Sequence, residues 1–148
     1  MRQFVYTPHG PLIQQQLTTE WEILVAAVLL NQSKRTPAWD RTLARVLQHF
    51  PTPEAMAVSD NFLEHLLKPH GFCNVKAKRL RRMSEQYLKW DGKDPRDLYG
   101  CGQYAYDSHR IFIRGHRPKP EEVNDGALTM FLNQFWCASQ KSGTHAAC

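Results

Sequence analysis

The residue best placed for chemistry is Asp125. It follows a loop that contains prolines and stands at the start of an apolar helical segment. A carboxylate there can cap the helix by accepting backbone N–H groups, which is its common structural use. Asn124 competes for the capping position, and if Asn124 takes it, Asp125 is free to point into a cleft. A free carboxylate in a cleft can stabilise positive charge that develops during a reaction.

A second candidate is the stretch DPRDLYGCGQYAYDSHRIFI, residues 94–113. Its Asp-Pro start predicts a short helical turn, and its middle predicts a tight turn that contains Gly100 and Gly102. Glycines let the backbone approach a partner closely and adopt positive φ. A second helix then begins at Gln103, and its first amides are suited to bind phosphate. An ordinary helix–turn–helix corner has the same pattern, so this stretch alone leaves both interpretations open.

The composition is that of one folded domain with a basic surface. The 148 residues are 42% hydrophobic and 22% charged, and the formal net charge is +5. These values are ordinary for a soluble protein. Much of the positive charge lies in residues 76–82, KAKRLRR. The charge favours a polyanionic partner, nucleic acid before acidic membrane, although a solvated helix face has the same composition.

Several kinds of site and location are not favoured by the sequence. The longest apolar run, Ile23 to Leu30, is too short to span a bilayer. The first ten residues lack the apolar region of a secretory signal, so we expect an intracellular protein. The four cysteines have no metal-binding or disulfide spacing and the seven histidines are scattered. We therefore expect no metal site.

Capping signals and apolar periodicity predict an all-α chain of about eight or nine helices. Thr19 and Glu22 form a capping-box pattern, which opens a helix that runs to Asn31. This helix is apolar on nearly every side and is predicted to be the buried centre of the domain. Residues 138–148 are predicted to form a disordered tail. Further helices are expected to follow Thr36, Thr52, Ser59, Asn74 (with its end near Trp90), Asp94, Gly102 and the loop that precedes residue 125.

Three separated motifs carry a resemblance to a known family: WEILVAAVLLNQS, LLKPHGFCNVKAKRL and LYGCGQYAYDSHRIF. In this order they resemble the helix-hairpin-helix DNA glycosylase superfamily, and most closely its thymine/uracil mismatch branch, which in animals is joined to a methyl-CpG-binding domain. The likeness spans residues 12–137. It implies an all-α helix-hairpin-helix DNA glycosylase fold with two helical lobes and a cleft between them. Residues 1–137 would form a single domain with the hairpin at 94–113.

The resemblance also implies roles for residues around the cleft. The family's catalytic aspartate corresponds to Asp125. The hairpin residue that is a Schiff-base lysine in bifunctional members is Tyr104 here, which implies a monofunctional glycosylase. Gln14 would read the pyrimidine edge, and Gln15 is nearly as good a match.

Further residues would contact DNA. Asn31 ends the first helix, and Gln32 corresponds to the residue that enters the base stack after the base leaves. The basic residues Lys76 and Lys78 would belong to the DNA-binding surface. The hairpin backbone would contact phosphate at Leu98, Gly100, Gly102 and Tyr104.

The sequence departs from the family pattern next to Asp125. Glu122-Val123-Asn124 precedes it and Gly126-Ala127 follows it, which changes the fine substrate contacts more than the aspartate. No iron–sulfur cluster is expected, because the four-cysteine run of the bifunctional branch is missing. A monovalent cation at the hairpin is compatible with the family.

The resulting hypothesis is a monofunctional DNA glycosylase that removes thymine or uracil, and also 5-substituted uracils, opposite guanine. Its partner would be double-stranded DNA and not a membrane, and the protein would be a monomer. It would act in the nucleus of a eukaryote and in the cytoplasm otherwise. Two alternatives stay open: a DNA-binding module that has lost catalysis, and an enzyme redirected to another modified base.

Overall fold

The computed structural model describes residues 1–140, and this part of the chain contains helices and no strand. The all-α prediction is confirmed. The short helix predicted after Asp94 is a 3-10 helix of three residues, Pro95–Asp97. The α-helices are α1 Glu20–Leu30, α2 Pro37–His49, α3 Pro53–Ala57, α4 Phe62–Leu67, α5 Cys73–Tyr87, α6 Gln103–Phe112 and α7 Gly126–Gln140. The 3-10 helices are Ile13–Gln16, Lys68–His70, Pro95–Asp97 and Pro120–Glu122.

Helix α1 is the buried centre of the fold, as predicted. Every residue from Trp21 to Leu30 is buried, and α1 packs against α5 and α6. Thr19 caps the helix by accepting the amide of Glu22. Apolar side chains on all sides of α1 drive this burial. No helix within residues 1–140 has the length and apolar character needed to cross a membrane.

Two apolar clusters form the two predicted lobes. The larger cluster contains α1 and the inward faces of α2 to α5. The smaller cluster joins the end of α6 to α7 and is built from Leu12, Ile111, Val123, Leu128 and Leu132. The side chain at position 104 packs against both clusters. The cleft between the lobes therefore lies beside the start of α6.

Most of the predicted capping residues are confirmed. Thr36, Thr52 and Asp94 each accept a backbone amide at the start of their helix. The predicted cap at Ser59 is wrong: α4 begins after Asn61, and the Ser59 hydroxyl donates to the Met56 carbonyl. The Ser59 hydroxyl therefore satisfies a carbonyl group at the end of α3 and does not cap α4.

Helices α5 and α7 also differ from their predicted bounds. Phe72, and not Asn74, precedes α5, and its backbone is left-handed with φ 50°. The helix ends at Tyr87, before the predicted Trp90. Helix α7 continues through residues 138–140, which the sequence assigned to the tail. The rest of that predicted tail, 141–148, lies outside the described residues.

Candidate active site

A cavity of about 270 Å³ opens between the two lobes. Its walls come from the N-terminal residues, the segment after α1, the start of α6 and the start of α7. The structure brings three predicted site residues together here, because all of them line this cavity. They are Gln14, Tyr104 and Asp125.

Asp125 caps α7 and lines the cavity at the same time. Its Oδ2 accepts the amide of Leu128 at 2.9 Å, and its carbonyl oxygen accepts the hydroxyl of Thr129 at 2.8 Å. The expectation that Asn124 must take the cap to free Asp125 is therefore wrong. Capping uses one carboxylate oxygen, and Oδ1 accepts no hydrogen bond from residues 1–140. The half-buried carboxylate thus keeps one oxygen for a ligand in the cavity.

Tyr104 and Gln14 are joined by a hydrogen bond across the cavity wall. Gln14 is 5% exposed, and its Nε2 donates to the Tyr104 hydroxyl at 2.8 Å and to the Ser108 Oγ at 3.1 Å. Burial, together with the nearby Asp125 charge, raises the pKa of Tyr104 to about 12. The phenol is therefore neutral near pH 7 and keeps its proton as a hydrogen-bond donor.

The structure distinguishes Gln14 from Gln15. Gln15 is exposed, and its Oε1 accepts the amide of Leu12 at 2.8 Å, which closes the first turn of the 3-10 helix. Only Gln14 lines the cavity. Ser108, which the sequence analysis missed, is fully buried on α6 below Gln14. Its contact with residue 14 spans most of the chain, and no local pattern indicates it.

One wall of the cavity is the N-terminal strap, defined here as residues 1–11. Arg35 holds it by donating to the carbonyls of Val5 and Pro11 at 2.8 and 2.9 Å. The same guanidinium binds both carboxylate oxygens of the buried Asp40, at 2.8 and 2.7 Å, and lies over the Tyr6 ring. Neither Tyr6 nor Arg35 carried a recognisable sequence signal, because their contacts join distant segments.

The segment after α1 forms the mouth of the cavity. Asn31 is half-buried, and Gln32 is exposed with a positive φ of 62°. A non-glycine residue held at positive φ costs about 1–3 kcal/mol, and such strain is concentrated at functional sites. Ser33 and Lys34 follow and line the cavity. The fold thus presents the Gln32 side chain to solvent beside the opening.

The loop before α5 changes the interpretation of Lys76. This side chain is 8% exposed and its Nζ donates to the carbonyls of His70 and Gly71 at 3.2 and 3.1 Å. Burial lowers the pKa of the Lys76 ammonium. Lys76 therefore holds the loop and does not present its charge on the basic surface, whereas Lys78 is exposed. The sequence analysis also missed Phe72, which this loop exposes by 80%.

The hairpin has the geometry of an open amide surface. Gly100 has φ 80°, and a Cβ there would lie 3.1 Å from the Cβ of Arg79, so glycine permits the close approach to α5. A Cβ at Gly102 would meet nothing within 4 Å. No side chain caps α6, and the residues at its start, Gly102 and Gln103, are exposed. Leu98 is buried and can contribute only its backbone to this surface.

No three His, Cys, Asp or Glu side chains lie close enough to hold a metal ion, as judged over residues 1–140. Burial also raises the pKa of the Cys101 thiol to about 12, so this thiol is not a reactive nucleophile. The predicted site residues give the cavity one carboxylate, one neutral phenol and one amide, and Tyr6, Lys34 and Arg35 add a second phenol and two basic side chains to its lining.

An all-helical fold, a glycine hairpin that exposes helix amides and a cleft with one carboxylate define a helix-hairpin-helix protein. The profile of the family described as "HhH-GPD superfamily base excision DNA repair protein" matches residues 12–147, and the chain belongs to this family. The resemblance found in the sequence is thereby confirmed.

The chain is also similar to a plant protein. The chain is 32% identical over 120 residues to the "Methyl-CpG-binding domain protein 4-like protein" of Arabidopsis thaliana. The match covers 78% of this chain and 25% of that relative. The chain therefore corresponds to about a quarter of the relative's length.

Proposed function

We propose that this protein is a monofunctional DNA glycosylase of base excision repair that removes thymine or uracil opposite guanine, with 5-substituted uracils as further substrates. The observation that carries the proposal is the cavity that holds Asp125 together with Gln14 and Tyr104. Its volume of about 270 Å³ lies near the lower end of ligand pockets and suits a single-ring base. The relationship to a methyl-CpG-binding domain protein 4-like protein supports the mismatch branch.

The mechanism begins with base flipping, because the bond to be broken is inaccessible inside a duplex. Unstacking costs a few kcal/mol and is least costly at a mismatch. The flipped base enters the cavity, and its sugar comes to lie beside Asp125. Cleavage of the N-glycosidic bond produces an oxocarbenium-like sugar. The Asp125 carboxylate stabilises this charge and orients the attacking water.

Tyr104 occupies the hairpin position at which a lysine would attack the sugar, which leaves water as the nucleophile. A lysine at this hairpin position would form a Schiff base with the sugar and lead to backbone cleavage. The neutral Tyr104 phenol forms no such adduct. Lys34 does line the cavity, so borohydride trapping is the direct test: a covalent complex with abasic DNA would contradict the monofunctional proposal.

Duplex DNA binds through backbone and side chains around the hairpin. The backbone at Leu98, Gly100 and Gly102 and the first amides of α6 contact phosphate. Lys78 and the exposed Arg82 add positive charge on the adjacent face of α5. At the mouth of the cavity, Asn31 contacts the flipped nucleotide and Gln32 fills the space that the base leaves.

The test is base release from G·T, G·U and matched duplexes, read as strand cleavage after hot alkali. We expect product only with the mismatches, and loss of product in an Asp125→Asn variant. Asparagine caps helices as well as aspartate, so this variant keeps the structural role and removes the charge. Equal activity of the variant and the parent would overturn the proposal.

A second candidate function is a DNA-binding module without catalysis. It is favoured by the capping bond of Asp125 Oδ2 to Leu128, since this contact alone explains an aspartate at this position. The binding module predicts salt-dependent duplex binding and no abasic product. The alkali assay separates the two functions, and a panel of modified bases would reveal an enzyme with a different substrate.

A further inference from the structure

The described lining of the cavity carries three charged side chains, those of Lys34, Arg35 and Asp125. The Arg35 guanidinium is neutralised by the carboxylate of Asp40, at 2.8 and 2.7 Å. The Lys34 side chain is exposed at the mouth, and its ammonium forms no hydrogen bond or ion pair with residues 1–140, Asp125 included. Lys34 is therefore a positive charge at the cavity that the described fold leaves uncompensated.

The backbone is held in place on both sides of Lys34. Before it, the amide of Ser33 donates to the carbonyl of Leu30 at 3.0 Å, and Gln32 has a positive φ of 62°. After it, the Arg35 guanidinium is bound both to α2 and to the N-terminal strap. The long side chain of Lys34 thus starts from a fixed point beside the opening, and its ammonium has reach to bind a group that arrives there.

A flipped nucleotide brings an anion to this place. The nucleotide rotates about its backbone, so the phosphates on both sides of its sugar stay joined to the strand. With the base inside the cavity and the sugar beside Asp125, a flanking phosphate lies at the mouth. This phosphate and the Asp125 carboxylate repel each other, and the repulsion grows as water leaves the site. A cation at the mouth offsets it.

We propose that Lys34 is a positioning residue that binds a phosphate flanking the flipped nucleotide and thereby holds the sugar against Asp125. The inference rests on the proposed glycosylase function and names the residue that anchors the nucleotide backbone in that site. It also explains how a lysine lines the cavity of a monofunctional enzyme. An ammonium bound to phosphate keeps its proton, whereas an amine attacks a sugar only after losing it.

The experiment removes the charge from each partner in turn. Lys34→Met removes the ammonium and keeps an unbranched side chain, and Lys34→Arg keeps a cation. Lys89→Met is the matched control, because Lys89 is also exposed but does not line the cavity. The duplexes carry uracil opposite guanine, and either flanking phosphate is replaced by an uncharged methylphosphonate. A second set carries tetrahydrofuran, an uncleavable abasic analogue, at the same position, and its Kd is measured.

We expect Lys34→Met to slow single-turnover uracil release at saturating protein about tenfold, the equivalent of about 1.4 kcal/mol, and Lys34→Arg to recover most of the rate. At one of the two phosphates, methylphosphonate should slow the parent about tenfold more than it slows Lys34→Met. The tetrahydrofuran duplexes should show the same coupling in Kd. With Lys89→Met the two changes should act independently. Each factor compares two duplexes on one preparation, so a smaller folded fraction does not change it.

The outcomes distinguish the inference from the proposed function. If methylphosphonate slows the parent and Lys34→Met by the same factor at both phosphates, the positioning role of Lys34 is wrong, even if the Kd values show coupling. If the parent releases no uracil, the glycosylase proposal fails, and the Kd values of the tetrahydrofuran duplexes then decide whether Lys34 binds the phosphate. The absence of coupling there would overturn the inference as well.

Discussion

Replacement of Arg35 by glutamine should loosen the wall of the cavity without touching Asp125. Arg35 is the one residue that joins the N-terminal strap at Val5 and Pro11 to the buried Asp40. Glutamine cannot bridge all three partners. The variant leaves the Asp40 carboxylate without its counter-ion and releases the strap carbonyls to water.

The size of the effect follows from the burial of the pair. The side chains of Arg35 and Asp40 are 15% and 6% exposed. Removal of one partner from a buried pair costs about 3–5 kcal/mol, and the partial exposure of Arg35 places the expected loss near the lower limit, about 3 kcal/mol. For a chain of this length that loss corresponds to a decrease in Tm of about 6–12 °C.

The assay is thermal and urea unfolding of the parent, Arg35→Gln, Asp40→Asn and the double variant, with Arg45→Gln as a control for loss of an exposed arginine. In the double variant no buried charge is left unpaired, so we expect a coupling free energy of about 2 kcal/mol. Amide exchange at residues 5–10 should accelerate in Arg35→Gln. A decrease in Tm of about 1 °C or less, or independent effects of the two substitutions, would refute this account.

Three further predictions concern the cap, the basic helix and pH. Asp125→Ala removes the helix cap and should lower the free energy of unfolding by about 1 kcal/mol, whereas Asp125→Asn should keep the cap and the stability. Both variants should lower base release on the order of 10²-fold. Unfolding assays measure the first effect and excision assays the second. Lys76→Met should lower the Tm and leave the salt dependence of DNA binding unchanged, whereas Lys78→Met should decrease the slope of log K against log salt by about one; the reverse pattern would contradict our assignment. The hydrogen bond from Arg81 lowers the pKa of Glu64, so this group stabilises the fold above its unfolded pKa and loses that contribution as pH falls through the lowered value. Acid titration of stability should show a smaller decrease below pH 4.5, the ordinary value for this group, in Glu64→Gln than in the parent.

Local capping chemistry made much of the fold predictable from sequence. A Thr-Pro pair before an apolar helical pattern marks a helix start through the threonine hydroxyl and the proline φ angle, and the two starts predicted in this way, at Thr36 and Thr52, are confirmed. Thr7-Pro8, which precedes no such pattern, lies at a turn. The start of α5 could not be predicted in this way. Phe72 adopts a left-handed backbone conformation, which is uncommon for a bulky residue. The carbonyl of the preceding Gly71 accepts a hydrogen bond from Lys76, which lies within α5.

The sequence predicted which residues form the candidate site better than it predicted their geometry. The family pattern indicated Asp125 and Tyr104 as site residues. From the sequence alone, however, capping a helix and facing a cleft were alternative roles for Asp125. A carboxylate has two oxygens, and Asp125 satisfies both roles. Ser108 and Arg35 were missed because each acts through contacts between segments that are distant in the chain.

The pair Gly126-Ala127 makes the rim of the cavity adjustable. Ala127 lines the cavity beside Asp125, and a Cβ added at Gly126 would meet nothing within 4 Å. Side chains introduced in this first turn of α7 would project into open space and leave the packing of Leu128 intact. Bulk at Ala127 is thus a means to change which ring substituents the cavity admits, separately from the carboxylate that we propose acts on the sugar.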